Sequence, residues 1–352
     1  MSALKDIIAA QIAQDGPMSL SGYMALCLLH PEHGYYATRD PFGRAGDFTT
    51  APEISQMFGE LLGLALAQNW LDQGAPKGPV FCELGPGRGT LMRDTLRATA
   101  RVPGFAPQVH LVEASPTLRG TQRETLTGHE VVWHDTIATL PEAPLFMVAN
   151  EFFDALPIRQ FVRAAQGWSE RRVTLQDGAL GFGLTEPAPV EALAQRLADT
   201  RDGNVVEICP GAGPVMAGAS ERIGRHGGAT IVVDYGGWHS LGDTFQAMQD
   251  HAFVDPFADP GAADLTAHVD FEALAQAVVP PCVATGLTPQ GVLLERLGIT
   301  ERAQRLASGL SGKSLESHIA AHRRLTHPEE MGSLFKAIAI HPETSPPPPG
   351  FD

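Results

Sequence analysis

Glu83-Leu84-Gly85-Pro86-Gly87-Arg88-Gly89-Thr90 is the stretch that decides the fold. It follows the apolar run Pro79-Val80-Phe81-Cys82 and precedes Leu91-Met92-Arg93-Asp94-Thr95-Leu96-Arg97, patterned as a helix. The order is therefore buried strand, glycine-rich turn, helix. Glycines at alternate positions let a ligand approach the backbone where any Cβ would obstruct it. The helix start offers unpaired N–H groups and a positive dipole end, which suit a carboxylate or phosphate. Glu83, just ahead of the first glycine, discriminates further. A carboxylate there repels a pyrophosphate and attracts an ammonium or a sulfonium.

A nicotinamide dinucleotide fingerprint wants G-x-G-x-x-G or G-x-G-x-x-A. Counting from Gly85, its third small position falls on Thr90, and the extra glycine, Gly89, comes one residue early. The acidic-x-G-x-G-x-G spacing instead matches class I methyltransferases. Their methyl donor, S-adenosylmethionine, carries an ammonium, a sulfonium and a carboxylate. Two rival readings of the same glycines are a turn without a ligand and a nicotinamide oxidoreductase. The second also wants a hydride-site histidine or a lysine–tyrosine pair, and neither is evident.

Working outward, residues 77–157 alternate strand and helix. Strands are expected at 80–84, 109–113, 131–133 and 145–150, with helices at 90–100 and 116–125. Such alternation predicts an α/β fold with a parallel, doubly wound sheet. Residues 1–76 read as a helical segment, with helices over 3–14, 19–29 and 52–73 and a glycine- and aromatic-rich loop before the last. Thr50 is placed to cap that third helix, with Pro52 in its first turn and Glu53 three residues after the cap. Residues 158–228 read as an α+β insertion: a hairpin or small antiparallel unit, a helix near 188–199, and the strand 205–208. The sheet resumes over 229–342, interrupted by a loop-rich stretch over 242–270. Helices near 291–297, 300–308 and 314–323 separate the last strands, 282–287 and 334–340. The proline-rich tail, 343–352, is expected to be disordered.

With 352 residues, of which 43% are hydrophobic, the chain can fill one large core or two ordinary ones. Its 25 basic and 40 acidic residues leave a net charge of −15. That field disfavours nonspecific nucleic-acid binding and suits a cationic substrate, although acidity also serves solubility. Cys27, Cys82, Cys209 and Cys282 are far apart and form no C-x-x-C pair. They argue against a metal cluster or a disulfide framework and fit a reducing compartment; no metal site is expected. No apolar run approaches the ~20 residues of a membrane span, so no membrane insertion is expected. Leu4, Ile7, Ile8 and Ile12 recur at helical spacing, and Lys5, Asp6 and Asp15 interrupt any signal-peptide core. These features point to the cytoplasm for a bacterial chain and to the mitochondrial matrix for a processed eukaryotic one. They are compatible with a homo-oligomer.

Three strand ends carry candidate chemistry. Glu113 closes His110-Leu111-Val112 about 24 residues beyond Gly89, close to the ~20-residue spacing at which an acid accepts ribose hydroxyls. The next strand ends at Trp133-His134-Asp135, where Asp135 could accept an adenine amino group and His134 or Trp133 could flank the ring. The fourth ends at Asn150-Glu151-Phe152-Phe153-Asp154, which faces the reactive end of a bound cofactor, because ligands lie across the carboxyl ends of open α/β sheets.

The chain resembles the MidA family, which includes the mitochondrial complex I assembly methyltransferase. The resemblance rests on His33-Gly34-Tyr35-Tyr36, the run from Gly46 to Glu60, the glycine loop, Asn150 to Pro157, Asp234-Tyr235-Gly236, and Ala263 to Phe271. It spans nearly the whole chain. It implies a Rossmann-like class I methyltransferase fold, a mostly parallel seven-stranded sheet with an N-terminal segment and an insertion. It also implies S-adenosylmethionine as cofactor and a protein substrate, with methylation of an arginine in a complex I subunit for the mitochondrial members. The chain departs from the family at Gly242 to His251, where a basic, aromatic stretch is expected.

On this reading Glu83, Gly85, Gly87, Gly89, Glu113, His134, Asp135, Asp47, Thr49 and Thr50 form the cofactor site, the last three in a loop that covers it. A guanidinium is a poor nucleophile because it stays protonated, with pKa above ~12. Carboxylates can orient it, localise its charge and accept the proton released. Glu151 is the first candidate for that role, beside Asn150. Asp154, Asp47, Asp264 and Asp270 are secondary candidates, and His268 is a candidate relay. A cofactor-binding assembly chaperone with little catalysis is the rival from another functional class.

Overall fold

The computed structural model describes residues 3–38 and 49–352. Seven strands form the main path of the central sheet: β1 (Val80–Leu84), β2 (Gln108–Val112), β3 (Val131–His134), β4 (Leu145–Asn150), β5 (Gly228–Gly237), β6 (Cys282–Ala284) and β7 (Phe335–Pro342). Their spatial order is β3-β2-β1-β4-β5-β7-β6. β1 to β5 run parallel, and β7 lies antiparallel between β5 and β6. The expected mostly parallel, seven-stranded sheet is therefore the observed one. Two short strands, Val269–Asp270 and Thr288–Pro289, add to it beside β5 and β7.

The sequence explains the burial of the sheet. β1 and β4 are apolar along nearly their whole length and buried at every position, as strands covered on both faces must be. Alternate residues feed two cores. Phe81, Phe146, Val148, Ile231 and Val233 face one; Val80, Cys82, Met147, Ala149 and Val232 face the other. Strand order reverses between β1 and β4, so Gly85 and Glu151 leave the sheet side by side at the switch point, where such folds bind ligands.

In the N-terminal segment, α1 (Ala3–Asp15) and α2 (Leu20–Leu29) bury Leu4, Ile8, Tyr23 and Met24 against Ile158 and Val173 of the insertion and Leu265 beyond it. The helix expected over 52–73 is broken at Ser55, whose φ of −157° and ψ of 136° are extended. A short turn, Ala51–Ile54, precedes the break, and α3 (Gln56–Asp72) follows it. Ser55 is itself the cap: its hydroxyl accepts the Met57 N–H at 3.3 Å. Thr50 precedes the first turn but makes no side-chain cap bond, and Glu53 instead accepts the hydroxyl of Thr90.

The insertion is an antiparallel sheet of Arg159–Ala164, Gly167–Gln176, Ala179–Leu184 and Val205–Ile208, joined by Met18–Ser19. Met18 pairs with Val173 and Ser19 with Arg172. The helix expected near 188–199 is two three-residue 3-10 turns, Glu191–Leu193 and Gln195–Leu197. Ala188, between Pro187 and Pro189, is extended instead, exchanging backbone hydrogen bonds with Trp168 at 2.9 and 3.0 Å, and a residue before proline is biased away from the helical region. The last part of the segment read as insertion, Ala212–His226, lies on the central sheet, with Met216, Ala219 and Ile223 in its second core. The loop-rich 242–270 stretch holds a three-stranded antiparallel sheet, Gln246–Gln249, Ala252–Val254 and Asp264–Thr266.

The tail corrects an expectation. Residues 343–352 are ordered against the body, and Phe351 is buried in the first core, to which Leu293 and Leu297 also belong. Pro346 O accepts the Asn69 side-chain amide, and Arg296 pairs with Asp352 at 2.8 Å. One buried aromatic outweighs the proline-rich composition.

Candidate functional site

Gly85, Gly87 and Gly89 have φ values of 57°, 51° and 80°, in the left-handed region that residues with a Cβ rarely adopt. The turn is pinned by Gly85 N–H to Val112 O at 3.0 Å and by Gly89 N–H to Pro86 O at 2.7 Å. A Cβ at Gly85 would stand 2.9 Å from the Phe152 ring.

Two cavities meet at this turn. A cleft of about 750 Å³ runs along Glu113, Leu118, Asp135, Ile137 and Phe152. A narrow chamber of about 80 Å³ lies on the other side. Gly85, Gly87, Tyr36 and Glu151 line both. Among the described residues the chamber is walled by five carboxylates, Glu53, Glu83, Glu151, Asp154 and Asp264, against one guanidinium, Arg88.

The chamber's polar atoms are unevenly satisfied. Among the described residues, Glu83 Oε2, Asn150 Oδ1 and Asp154 Oδ1 are buried acceptors without a donor. Buried acceptors normally have partners, so three around one small space suit a donor-rich ligand. Glu151 has a φ of 50°, a strained conformation for a residue with a side chain. Its Oε1 accepts the Ala51 N–H at 3.1 Å and the Asn150 amide at 3.0 Å. Burial pushes the Glu151 carboxyl up and lifts Glu83 well above the carboxylate range. Burial, then the neighbouring Glu151 charge, raises Asp154 to about 7. Asp234 fixes the turn from below. Its carboxylate accepts the N–H groups of Phe152, Phe153 and Asp154 at 3.2, 2.9 and 3.3 Å, and that of Tyr235 at 2.9 Å.

A family model for S-adenosyl-L-methionine-dependent methyltransferases matches residues 61–291. The chain belongs to this family. A COG1565 superfamily member from Burkholderia thailandensis, solved with S-adenosyl-homocysteine bound, superposes with a TM-score of 0.83 and 32% identity over 99% of this chain and 92% of that one. The protein arginine methyltransferase NDUFAF7, mitochondrial, of Homo sapiens is 36% identical over 94% of this chain and 82% of that protein. Its Danio rerio counterpart is 34% identical over 95% and 85%.

The residues of this methyltransferase fit S-adenosylmethionine. The cleft would take an adenosine-sized group beside Glu113, and the orphaned acceptors would take an ammonium. Glu113 is 8% exposed. It accepts the Ser115 N–H at 2.8 Å and the Gln122 amide at 3.1 Å, one on each oxygen, with lone pairs to spare. Burial raises its pKa. Asp135 lines the cleft, although its carboxylate is solvent-exposed and paired with Arg119 at 2.5 Å.

Other expected residues are not brought together. His134 turns its ring into the fold, to His110 at 2.8 Å and Thr139 at 2.8 Å, and lines neither cavity. Its carbonyl, by contrast, accepts the Glu113 N–H at 3.0 Å. Trp133 points to Gln122 and does not flank the cleft. His268 borders a separate groove with Glu207 and Asp270, touching the chamber only through a ring contact with Tyr235 at 5.4 Å. Asp270 caps the helix Phe271–Gln276 through the Ala273 N–H at 2.9 Å. Thr50 lines the chamber and Thr49 lines neither cavity; Asp47 lies outside the described residues.

Sequence reasoning missed Tyr36, Glu53, Tyr235 and Thr266 as chamber walls. Tyr36 donates its hydroxyl to both oxygens of Asp264, at 2.9 and 3.0 Å. The signal was present: Tyr36 and Tyr235 both stand in the stretches that carry the family resemblance.

Proposed function

We propose that the enzyme methylates an arginine side chain of a protein, a respiratory complex I subunit being the first candidate. The observation that carries this reading is the acidic chamber, with three acceptors that have no donor among the described residues. The arginine methyltransferase names of the mitochondrial relatives support it. Glu83 Oε2 holds the cofactor's ammonium, Glu113 its ribose hydroxyls, and the cleft beside Asp135 and Ile137 its adenine. The cofactor supplies a methyl group on a sulfonium, electrophilic without further activation.

The chain's own residues then align the nucleophile, exclude water and manage one proton. Glu151 and Asp154 orient the guanidinium through charge-assisted hydrogen bonds and draw its positive charge to one nitrogen. The carboxylate pair accepts the proton as the new bond forms. Asn150, bonded to Glu151, presents its free Oδ1 to the same space. The four free cysteines support a reducing compartment, the cytoplasm for a bacterial chain or the matrix for a processed eukaryotic one.

Incubation with isotopically labelled S-adenosylmethionine and complex I subunits, followed by mass spectrometry of the acceptor, tests this. Label on arginine nitrogen is expected. Label on lysine, on a small molecule, or on nothing in the presence of bound cofactor overturns the arginine assignment.

A further inference from the structure

Gln122 is fully buried, on the helix Pro116–Thr125, and belongs to neither cavity. Its carboxamide nevertheless touches two parts of the cofactor site. Nε2 donates to Gly87 O at 2.8 Å and to Glu113 Oε2 at 3.1 Å. Oε1 accepts the Trp133 indole N–H at 2.8 Å. An added Cβ at Gly89 would lie 3.6 Å from Gln122 Cγ, so the third glycine of the loop faces this side chain.

The orientation of the amide follows from chemistry. An indole nitrogen only donates, so the Gln122 atom facing it must be the oxygen. The NH₂ group is then aimed at two acceptors. Reversed, the amide would set its oxygen against a carbonyl and a carboxylate and leave the indole N–H unpaired, three unfavourable contacts in a buried space. The Ser115 N–H holds the other oxygen of Glu113. The carboxylate is thus gripped from both sides, and its remaining lone pairs face the cleft.

We infer that Gln122 is a positioning residue of the cofactor site, oriented by Trp133 so that one amide fixes both the ribose-binding acid and the glycine turn. The inference rests on Glu113 as the ribose-binding acid. Trp133, expected beside the adenine, acts from behind it. The device preorganises the ground state for binding, so its loss falls on cofactor affinity before it falls on the chemical step.

Calorimetric titration of the full chain with S-adenosylhomocysteine, comparing Trp133→Phe, Gln122→Met and Glu113→Gln, tests the relay. Trp133→Phe removes the donor together with the pyrrole half of the indole and keeps one aromatic ring, so affinity is read beside the melting temperature. The substitution is expected to weaken binding by roughly tenfold, with Gln122→Met at least as damaging. KM for S-adenosylmethionine should rise in step, while kcat at saturation moves by less than about twofold. In a Glu113→Gln background, Trp133→Phe should add little, because the two act through one bond network. Unchanged affinity in Trp133→Phe and Gln122→Met, with Glu113→Gln weakened, overturns the relay alone. So does a lower melting temperature without a change in affinity. Unchanged affinity in Glu113→Gln overturns the ribose reading beneath it.

Discussion

Glu151, in the wall of the narrow chamber, and Ala51 are joined directly: Glu151 Oε1 accepts the Ala51 N–H at 3.1 Å. The bond ties a strained acid to the first residue of the turn before α3. The same oxygen holds the Asn150 amide. Glu151→Gln can keep both bonds on its carbonyl oxygen, so it removes the charge and little else. Cofactor affinity is expected to persist, with kcat falling by about a hundredfold or more. Calorimetry and single-turnover kinetics on one preparation check this, and full turnover in the variant removes Glu151 from the mechanism.

Turnover should depend on pH through Asp154. A buried carboxyl raised to about 7 is protonated below that value and ionised above it. Acceptor methylation is therefore expected to climb as pH rises through 7. Asp154→Asn should lower the rate and flatten that limb. The sign for stability is opposite. The folded state binds this proton more tightly than the unfolded chain, whose Asp titrates near ~3.9, so unliganded stability should decline as pH rises from there through about 7. Melting curves across that range, with and without Asp154→Asn, report it.

Gly87→Val places a branched side chain at a φ of 51°, with a strain cost of roughly 1–3 kcal/mol, and sets that side chain between the two cavities. Cofactor binding should disappear while the fold persists, lowered in melting temperature. Titration with S-adenosylhomocysteine beside a circular dichroism melt separates the two effects; retained affinity sinks the glycine-loop assignment.

Phe351→Ala removes a buried ring that lines neither the cleft nor the chamber. A loss of about 3–5 kcal/mol is expected from the vacated volume, with cofactor affinity unaltered. Denaturant titration measures the first and calorimetry the second.

The sheet and its ligand edge were legible because strand, glycine turn and helix follow from local periodicity and backbone chemistry. Elements set by distant partners were less so. Ser55 broke a helix that periodicity had run through, since a capping hydroxyl leaves no apolar gap. The tail looked disordered until Phe351 met a core built mostly from earlier residues. In the site, Glu83 and Glu151 announced themselves by their place at strand ends. Gln122 could not, because a glutamine on an ordinary helix gains its meaning only from Trp133 and Gly87 across the fold. His134 showed the reverse: a plausible ring at the right strand end turned inward to His110.

Among the described residues five carboxyl groups wall one small chamber; burial favours the protonated forms of Glu83, Glu151 and Asp154, and a bound cation favours their ionised forms. A ligand that binds only the folded state stabilises it by about 2.7 kcal/mol at a hundredfold excess over its dissociation constant. Differences of that size alter how much of a protein survives cellular proteolysis. The donor-bound enzyme should therefore outlast the free one under limited proteolysis.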